Sequence, residues 1–288
     1  MCWSIAKSQL KENNSDENYV LTEKDIPFFF HVFLRKVYPI FTAYKEVIFA
    51  GEGRGSLEWR RSIYPDYKMN RAKRDDDPEY KLLKTLFPKV DALLNKFKCK
   101  VISVDGAEGD DVIYALTKYF TEQHEEVQVI SSDGDFAQLL NFFEGVNVYT
   151  PLFKRSVTPK PNIIMEKAII GDPSDGIPGI PRIGKKTLEK MLEDRTLWVK
   201  KMTPENEKIY ESFVKIVDLS KAPEELHRNI IDKFNEKEYN EFNPDDIEAF
   251  FLDNNLRDCL MNWGRITSEI QLTLSNADKE VIDLSEYI

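Results

Sequence analysis

Cysteine and histidine are scarce in this chain, three of each in 288 residues. Cys2, Cys99 and Cys259 are odd in number and far apart, which excludes a disulfide framework, and His31, His124 and His227 are too scattered for a zinc-ligand spacing. Any metal must therefore be held by oxygen. Long apolar runs are missing too. A bilayer-spanning helix requires about 20 residues, and the longest candidate, Ile26 to Phe41, is broken by Pro27, His31, Arg35, Lys36 and Pro39. The N-terminus lacks the basic-then-apolar pattern of a signal peptide, so the sequence reads as cytoplasmic. Positive charge is also short, with 40 Lys and Arg against 50 Asp and Glu and a formal net charge of -10. A polyanion is bound through Lys and Arg that displace its counterions. The total argues against such a partner unless the basic residues are concentrated.

They are concentrated. The stretch Arg54 to Arg74, "RGSLEWRRSIYPDYKMNRAKR", carries seven Lys or Arg against two acids and interleaves Trp59, Tyr64 and Tyr67. A solvated loop and helix face is the plain reading of such a run; a basic, aromatic patch on an acidic protein is the functional one. The "DDD" of Asp75 to Asp77, with Pro78, predicts a break before a helix over about Glu79 to Phe97.

The length predicts one large unit with a smaller one, and the 42% hydrophobic and 31% charged content is that of an ordinary globular protein. Short β-branched runs at Glu46–Ala50, Val101–Asp105 and Val127–Ser131 are separated by helical or irregular sequence. That order predicts parallel strands joined by crossovers, an α/β sheet with helices on both faces. Beyond Pro151 helical periodicity takes over. The expected organisation is a core over 1–150 with the basic segment at about 52–97, a helical part over 151–222, and a C-terminal helical region over 223–288 that carries no motif.

Carboxylates crowd the predicted strand ends. "VDGAEGDDVIYAL" sets Asp105, Glu108, Asp110 and Asp111 on a strand-to-helix turn, and in open parallel sheets ligands bind at that edge. Capping and dipole chemistry would use one or two acids, for about 0.3–1 kcal/mol each. The excess needs a cation between like charges. "VQVISSDGDFAQLL" repeats the pattern with Asp133 and Asp135, and "IIGDPSDGIPG" adds Asp172 and Asp175 three apart, on one face of a helical turn. A polar turn is the alternative for that last pair, with Pro173 and Gly176 beside it. No calcium-loop ladder of alternating oxygens is present. Hard oxygen donors without His or Cys favour Mg²⁺ or Mn²⁺, and seven such carboxylates suffice for a two-metal site hydrolysing a phosphodiester. The stretch "GIPGIPRIGKKT" then places Gly179 and Gly184 around a turn leading into Lys185, Lys186 and a helix. Backbone amides and a helix N-terminus there can meet phosphate, as in a helix-hairpin-helix contact, although a plain helical hairpin would also want glycine.

With "WRRSIYPDYKMNR", "EGDD", "SSDGDF" and "GDPSDGIPGIPRIG" in this order, the chain resembles the structure-specific 5′-nuclease family of flap endonucleases, polymerase-attached 5′-nucleases and bacteriophage 5′-exonucleases, over about Val47 to Leu192. The resemblance implies a PIN-like α/β core, a basic arch over the active site, and a helix-three-turn-helix element on duplex DNA. It implies that Glu108, Asp110 and Asp111 serve a first Mg²⁺, Asp133 both ions, and Asp135, Asp172 and Asp175 a second, with Mn²⁺ able to substitute. Lys68 and Arg71 match arch residues approaching the scissile phosphate, Arg60 and Arg61 are expected to meet DNA, and Gly179, Gly184, Lys185 and Lys186 match the duplex-binding turn, where family members often hold K⁺. Implied partners are branched or nicked duplex DNA, RNA-DNA primer junctions and replication proteins; the chain is expected to be a monomer, in a host cytoplasm if phage-encoded. The pattern departs in two places. A family strand ending in Asp belongs about where Met1 stands, which suggests an incomplete N-terminus, and after "EVIFA" the nearest acid to an expected Asp is Glu52. A branched-DNA binder without turnover and a PIN-type ribonuclease are the alternatives.

Overall fold

The computed structural model describes residues 2–74 and 76–275; Met1, Asp75 and the end of the expected C-terminal region, 276–288, lie outside the described residues. Five short strands form: β1 (Ile48–Ala50), β2 (Lys100–Ile102), β3 (Val127–Ile130), β4 (Val146–Thr150) and β5 (Arg155–Ser156). β1 pairs with β2, and β3, β4 and β5 form a second ladder in that order. The Lys100 amide donates to the Val47 carbonyl and the Gly51 amide to that of Ile102; partners that advance together mean a parallel pair. β3 and β4 are also parallel, with Val127 opposite Val146 and Ile130 opposite Tyr149, whereas β5 returns antiparallel, Ser156 opposite Tyr149. The runs expected to be strands at 46–50 and 127–131 thus hold β1 and β3, and the run at 101–105 overlaps β2 at Val101 and Ile102. β4, in the stretch "VNVYT", is additional, and the expected single sheet is two ladders among the described residues.

The chain divides into two compact units interleaved in sequence: 1–49, 74–101 and 237–288, and 50–73 with 102–236. In the first, the helix Ile26–Ala43 supplies Phe29, Phe30, Leu34, Val37 and Phe41 to a core shared with Leu86, Leu93, Phe97, Phe251 and Trp263. Each such side chain contributes about 2 kcal/mol on burial. Phe41 and Phe97 stack with centroids 4.4 Å apart. The stretch beyond 237 supplies part of this core through the helices Pro244–Asp253 and Trp263–Ser275. The apolar run at Ile26 that fails as a membrane span is a buried helix, and no helix among the described residues is long and apolar enough to cross a membrane.

The second unit carries the β3–β4–β5 ladder and the helices Gly109–Glu122, Ile163–Ile170, Lys185–Glu193, Arg195–Lys201, Pro204–Val217 and Glu224–Glu236. Val129 and Val148 of the ladder pack with Tyr114, Phe136, Leu139 and Leu219. A second cluster joins Tyr67 to Ala168, Ile177, Phe213, Ile216 and Val217. It anchors the aromatic end of the basic segment beside the loop that carries Asp172 and Asp175.

Candidate active site

The glycine loop after β1 is shaped by packing. A Cβ on Gly53 would lie 1.8 Å from the Val104 carbonyl oxygen, so only glycine lets the two backbones cross here, and the Gly53 amide donates to the Ala107 carbonyl at 2.9 Å. Glu52 beside it is exposed, and its backbone carbonyl accepts from the Ser103 hydroxyl at 2.7 Å.

The strand-to-helix turns form as the sequence predicts. Glu108 caps the helix Gly109–Glu122, and its amide donates to Asp111 Oδ2 at 3.0 Å, a reciprocal capping box. After β3, Asp133 caps a 3-10 turn over Gly134–Gln138 by accepting from the Asp135 amide at 2.9 Å. In the third loop Asp172 accepts from the Ser174 amide at 2.9 Å and hydroxyl at 2.6 Å. Among the described residues, Asp135, Asp172 and Asp175 offer oxygens that all lie within 4.8 Å of one another. Three hard carboxylate donors so close suit a divalent ion such as Mg²⁺ or Mn²⁺. Glu52, Glu108, Asp110, Asp111 and Asp133 are not part of this group.

Glu108 and Asp111 are committed to other partners. Arg60 is 1% exposed. It donates from Nη1 to Glu108 Oε2 at 2.7 Å and to Asp111 Oδ2 at 2.9 Å, from Nη2 to Asp111 Oδ1 at 2.7 Å, and from Nε to the Ile216 carbonyl at 3.2 Å. Its guanidinium lies 4.1 Å over the Trp59 ring. Burial works against the Arg60 charge, but Asp111 and Glu108 outweigh it and hold its pKa above the ordinary value. Arg60, expected to meet DNA, is enclosed in this arrangement, and Asp111, expected to serve an ion, is fully buried with both oxygens accepting from Arg60.

Glu108 has two further partners: Oε1 accepts from the Lys68 ammonium, and Oε2 from the Tyr67 hydroxyl at 3.0 Å. Tyr67 reaches Asp175 Oδ2 at 3.3 Å as well, and its burial raises the phenol pKa. Lys68 is buried, lies 3.8 Å from Asp175, and takes a left-handed backbone, φ 55°, which a non-glycine residue adopts only when its surroundings enforce it. The enforcing contacts are visible. The Lys68 amide donates to the Asp175 carbonyl at 2.8 Å, Asn70 donates to the Pro173 carbonyl at 2.8 Å, and Arg71 Nη2 donates to Asp175 Oδ1 at 2.9 Å. The two arch candidates Lys68 and Arg71 are thus clipped onto the carboxylates. Arg61 is half-buried and donates to the Tyr67 carbonyl at 3.0 Å.

Half-buried Asp110 is pushed up to about 7, chiefly by burial; Lys68 opposes this, while Asp133 and Glu108 add to it. Burial likewise raises Asp135 against the pull of Lys167. Burial alone would raise Asp172, but Lys167 and Ser174 together hold it below the usual range.

At the expected duplex-binding turn, a Cβ on Gly179 (φ 74°) would meet the Ile170 carbonyl carbon at 2.4 Å, so this glycine serves backbone packing. Gly184 has nothing within 4 Å of its Cβ position. It caps the helix Lys185–Glu193, and Gly184, Lys185 and Lys186 are all exposed.

Three contacts escape a reading of the sequence. Trp59 stacks on Arg60, the Tyr67 hydroxyl bridges Glu108 and Asp175, and Lys167 pairs with both Asp135 and Asp172. For Lys167 a signal exists: it is the sole Lys or Arg in the helix "IIMEKAII".

Residues 21–169, just over half of the chain, match the 5′-3′ exonuclease N-terminal, resolvase-like domain family. The chain is 32% identical over 165 residues to DNA polymerase I of Caldicellulosiruptor bescii, covering 52% of this chain and 18% of that protein. It is 31% identical over 141 residues to the 5′-3′ exonuclease of Buchnera aphidicola subsp. Acyrthosiphon pisum, covering 45% of this chain and 46% of that one. It thus spans less than half the length of either relative. Among solved structures, T5 5′-exonuclease with divalent zinc ions bound shares 21% identity at a TM-score of 0.47, over 93% of this chain and 95% of the other.

Proposed function

The chain belongs to the family of 5′-3′ exonuclease N-terminal, resolvase-like domains, and from that membership we propose that it is a divalent-metal-dependent 5′-nuclease. Its substrates on this reading are phosphodiesters of branched or 5′-ended duplex DNA, or of RNA primers on DNA. The observation that carries the reading is the convergence of Asp135, Asp172 and Asp175, with oxygens within 4.8 Å of one another, in one compact unit with a basic segment clipped to Asp175.

Asp135, Asp172 and Asp175 would hold one Mg²⁺ or Mn²⁺, and Asp110 with Asp133, whose charge adds to the raised pKa of Asp110, a second. When bound, such ions supply an activated water and stabilise the leaving oxygen of the phosphodiester. The chain's own part is positioning and charge. Arg71 is partly exposed beside Asp175, and its guanidinium has the planar fork that suits a phosphate. Lys68 can bring a second donor once released from Glu108. Gly184, with open space at its Cβ position, and exposed Lys185 and Lys186 would hold a backbone phosphate of the duplex at a helix N-terminus. A monovalent cation such as K⁺ at this turn is part of the same proposal.

The test is cleavage of 5′-labelled flap DNA, an RNA-DNA hybrid and free RNA with Mg²⁺ by the full 288-residue chain. Cleavage of flap or hybrid, lost in Asp135→Ala, is expected; a folded, Mg²⁺-replete protein that cuts none of the three would overturn it. The enclosure of Glu108 and Asp111 by Arg60 and Lys68 favours one second reading, a branched-DNA binder without turnover. Tight, salt-sensitive flap binding with no product would distinguish it.

A further inference from the structure

Lys167 stands between two members of the carboxylate group. Its ammonium is 2.6 Å from Asp172 Oδ2 and pairs also with Asp135, two of the three residues whose oxygens converge. The side chain rises from the helix Ile163–Ile170, whose Ile163, Ala168 and Ile169 are buried, so the root of the stem is fixed, and the side chain as a whole is 24% exposed. Asp135 comes from the turn after β3 and Asp172 from the loop after this helix. Without a cation between them, three carboxylates at such separations repel one another. Lys167 supplies that cation from within the chain.

We infer that Lys167 is a positioning residue that serves as an internal counter-cation of the Asp135–Asp172–Asp175 group and competes there with a divalent ion. This rests on the reading of that group as a metal site. The ammonium fills the gap between Asp135 and Asp172, and an incoming ion must displace it. The partial exposure of the Lys167 side chain and its four-carbon stem let the ammonium swing toward solvent while the helix stays in place. An ammonium that remained about 4 Å from a divalent ion would repel it enough, even at the dielectric of water, to weaken binding by roughly tenfold or more. Lys167 therefore sets the concentration of divalent ion at which the group fills, and it keeps the three carboxylates converged until then.

The measurement is Mn²⁺ binding to the whole chain, read from the loss of the free-ion paramagnetic resonance signal, for the wild type, Lys167→Met, Lys167→Arg and Asp172→Asn. The binding class that disappears in Asp172→Asn identifies the group. For that class, Lys167→Met should bind about tenfold tighter than wild type, and Lys167→Arg, which retains the charge, should stay within about threefold of wild type. The midpoint of thermal unfolding in EDTA should fall for Lys167→Met and recover with Mn²⁺, which checks that the variant folds. An affinity in Lys167→Met that is unchanged or weaker than wild type overturns the inference, as does a Lys167→Arg that behaves like Lys167→Met. If wild type and Asp172→Asn bind Mn²⁺ identically, the metal-site reading itself fails, and the inference falls with it for that separate reason.

Discussion

Replacing Arg60 by Met should be among the most damaging single changes in the 50–73 and 102–236 unit. The substitution keeps much of the stem volume and removes three hydrogen bonds of 2.7 to 2.9 Å to Glu108 and Asp111. Glu108 would retain Lys68 and Tyr67, but fully buried Asp111 would keep only the Glu108 amide at 3.0 Å and a long contact from the Trp59 indole at 3.4 Å. Removing one partner of a buried ion pair typically costs about 3–5 kcal/mol. Because Glu108 stays compensated, the low end applies, about 3 kcal/mol. In urea, with a slope near 3 kcal/mol/M for a protein of this size, that lowers the midpoint by about 1 M. Arg60→Lys should fall between wild type and Arg60→Met, since a single ammonium cannot serve two carboxylates in the fork geometry. In the Arg60→Met background, Asp111→Asn should restore about 1–2 kcal/mol, because a neutral amide is less costly to leave unpaired. A midpoint shift under about 0.3 M for Arg60→Met, or simple additivity of the two substitutions, would refute the argument that this pair is coupled through buried charge.

Two further outcomes follow from the same geometry. Asp110, pushed up to about 7 by burial, binds its proton more tightly folded than unfolded, so it contributes stability at low pH that is lost as pH rises through the window from about 4 to about 7. Urea unfolding in EDTA across that window should show a steeper decline for wild type than for Asp110→Asn, and parallel curves would count against the shift. Exposed Lys185 and Lys186 at the N-terminus of their helix should each release about one counterion, so Lys185→Gln with Lys186→Gln should lower the salt slope of duplex binding by about two with the circular dichroism unchanged. A slope that does not move would remove this turn from the DNA interface.

Much of the candidate site is legible along the chain because its parts are local. A β-branched run followed by Asp or Glu and then helical spacing marks a strand end opening into a helix, and the turns at Glu108–Asp111 and Asp133–Asp135 form there with capping bonds the side chains dictate. Scarcity of Cys and His restricts the donors to oxygen in the same local way. β4 is harder to read: its five residues contain Asn147 between valines, and it becomes a strand by pairing with β3 over four positions. The stretch beyond 237 shows amphipathic helices but no motif, since its role is to fill a core with Ile26–Ala43, more than 190 residues earlier.

From the sequence alone came the strand-end carboxylate turns, the oxygen character of any metal site and the concentration of basic charge between 54 and 74. Tertiary structure alone decided which charges meet. Arg60 and Arg61 are adjacent in sequence, yet Arg60 is buried against two carboxylates and Arg61 is not; a six-residue helix sets their directions, and the packing of residues about 48 and 156 positions away sets their fates. Lys167 reads as a lone cation on an apolar helix until folding brings Asp135 and Asp172 to either side of it. Burial and pairing of charge depend on distances through space, and periodicity along a chain encodes only the face on which a residue lies.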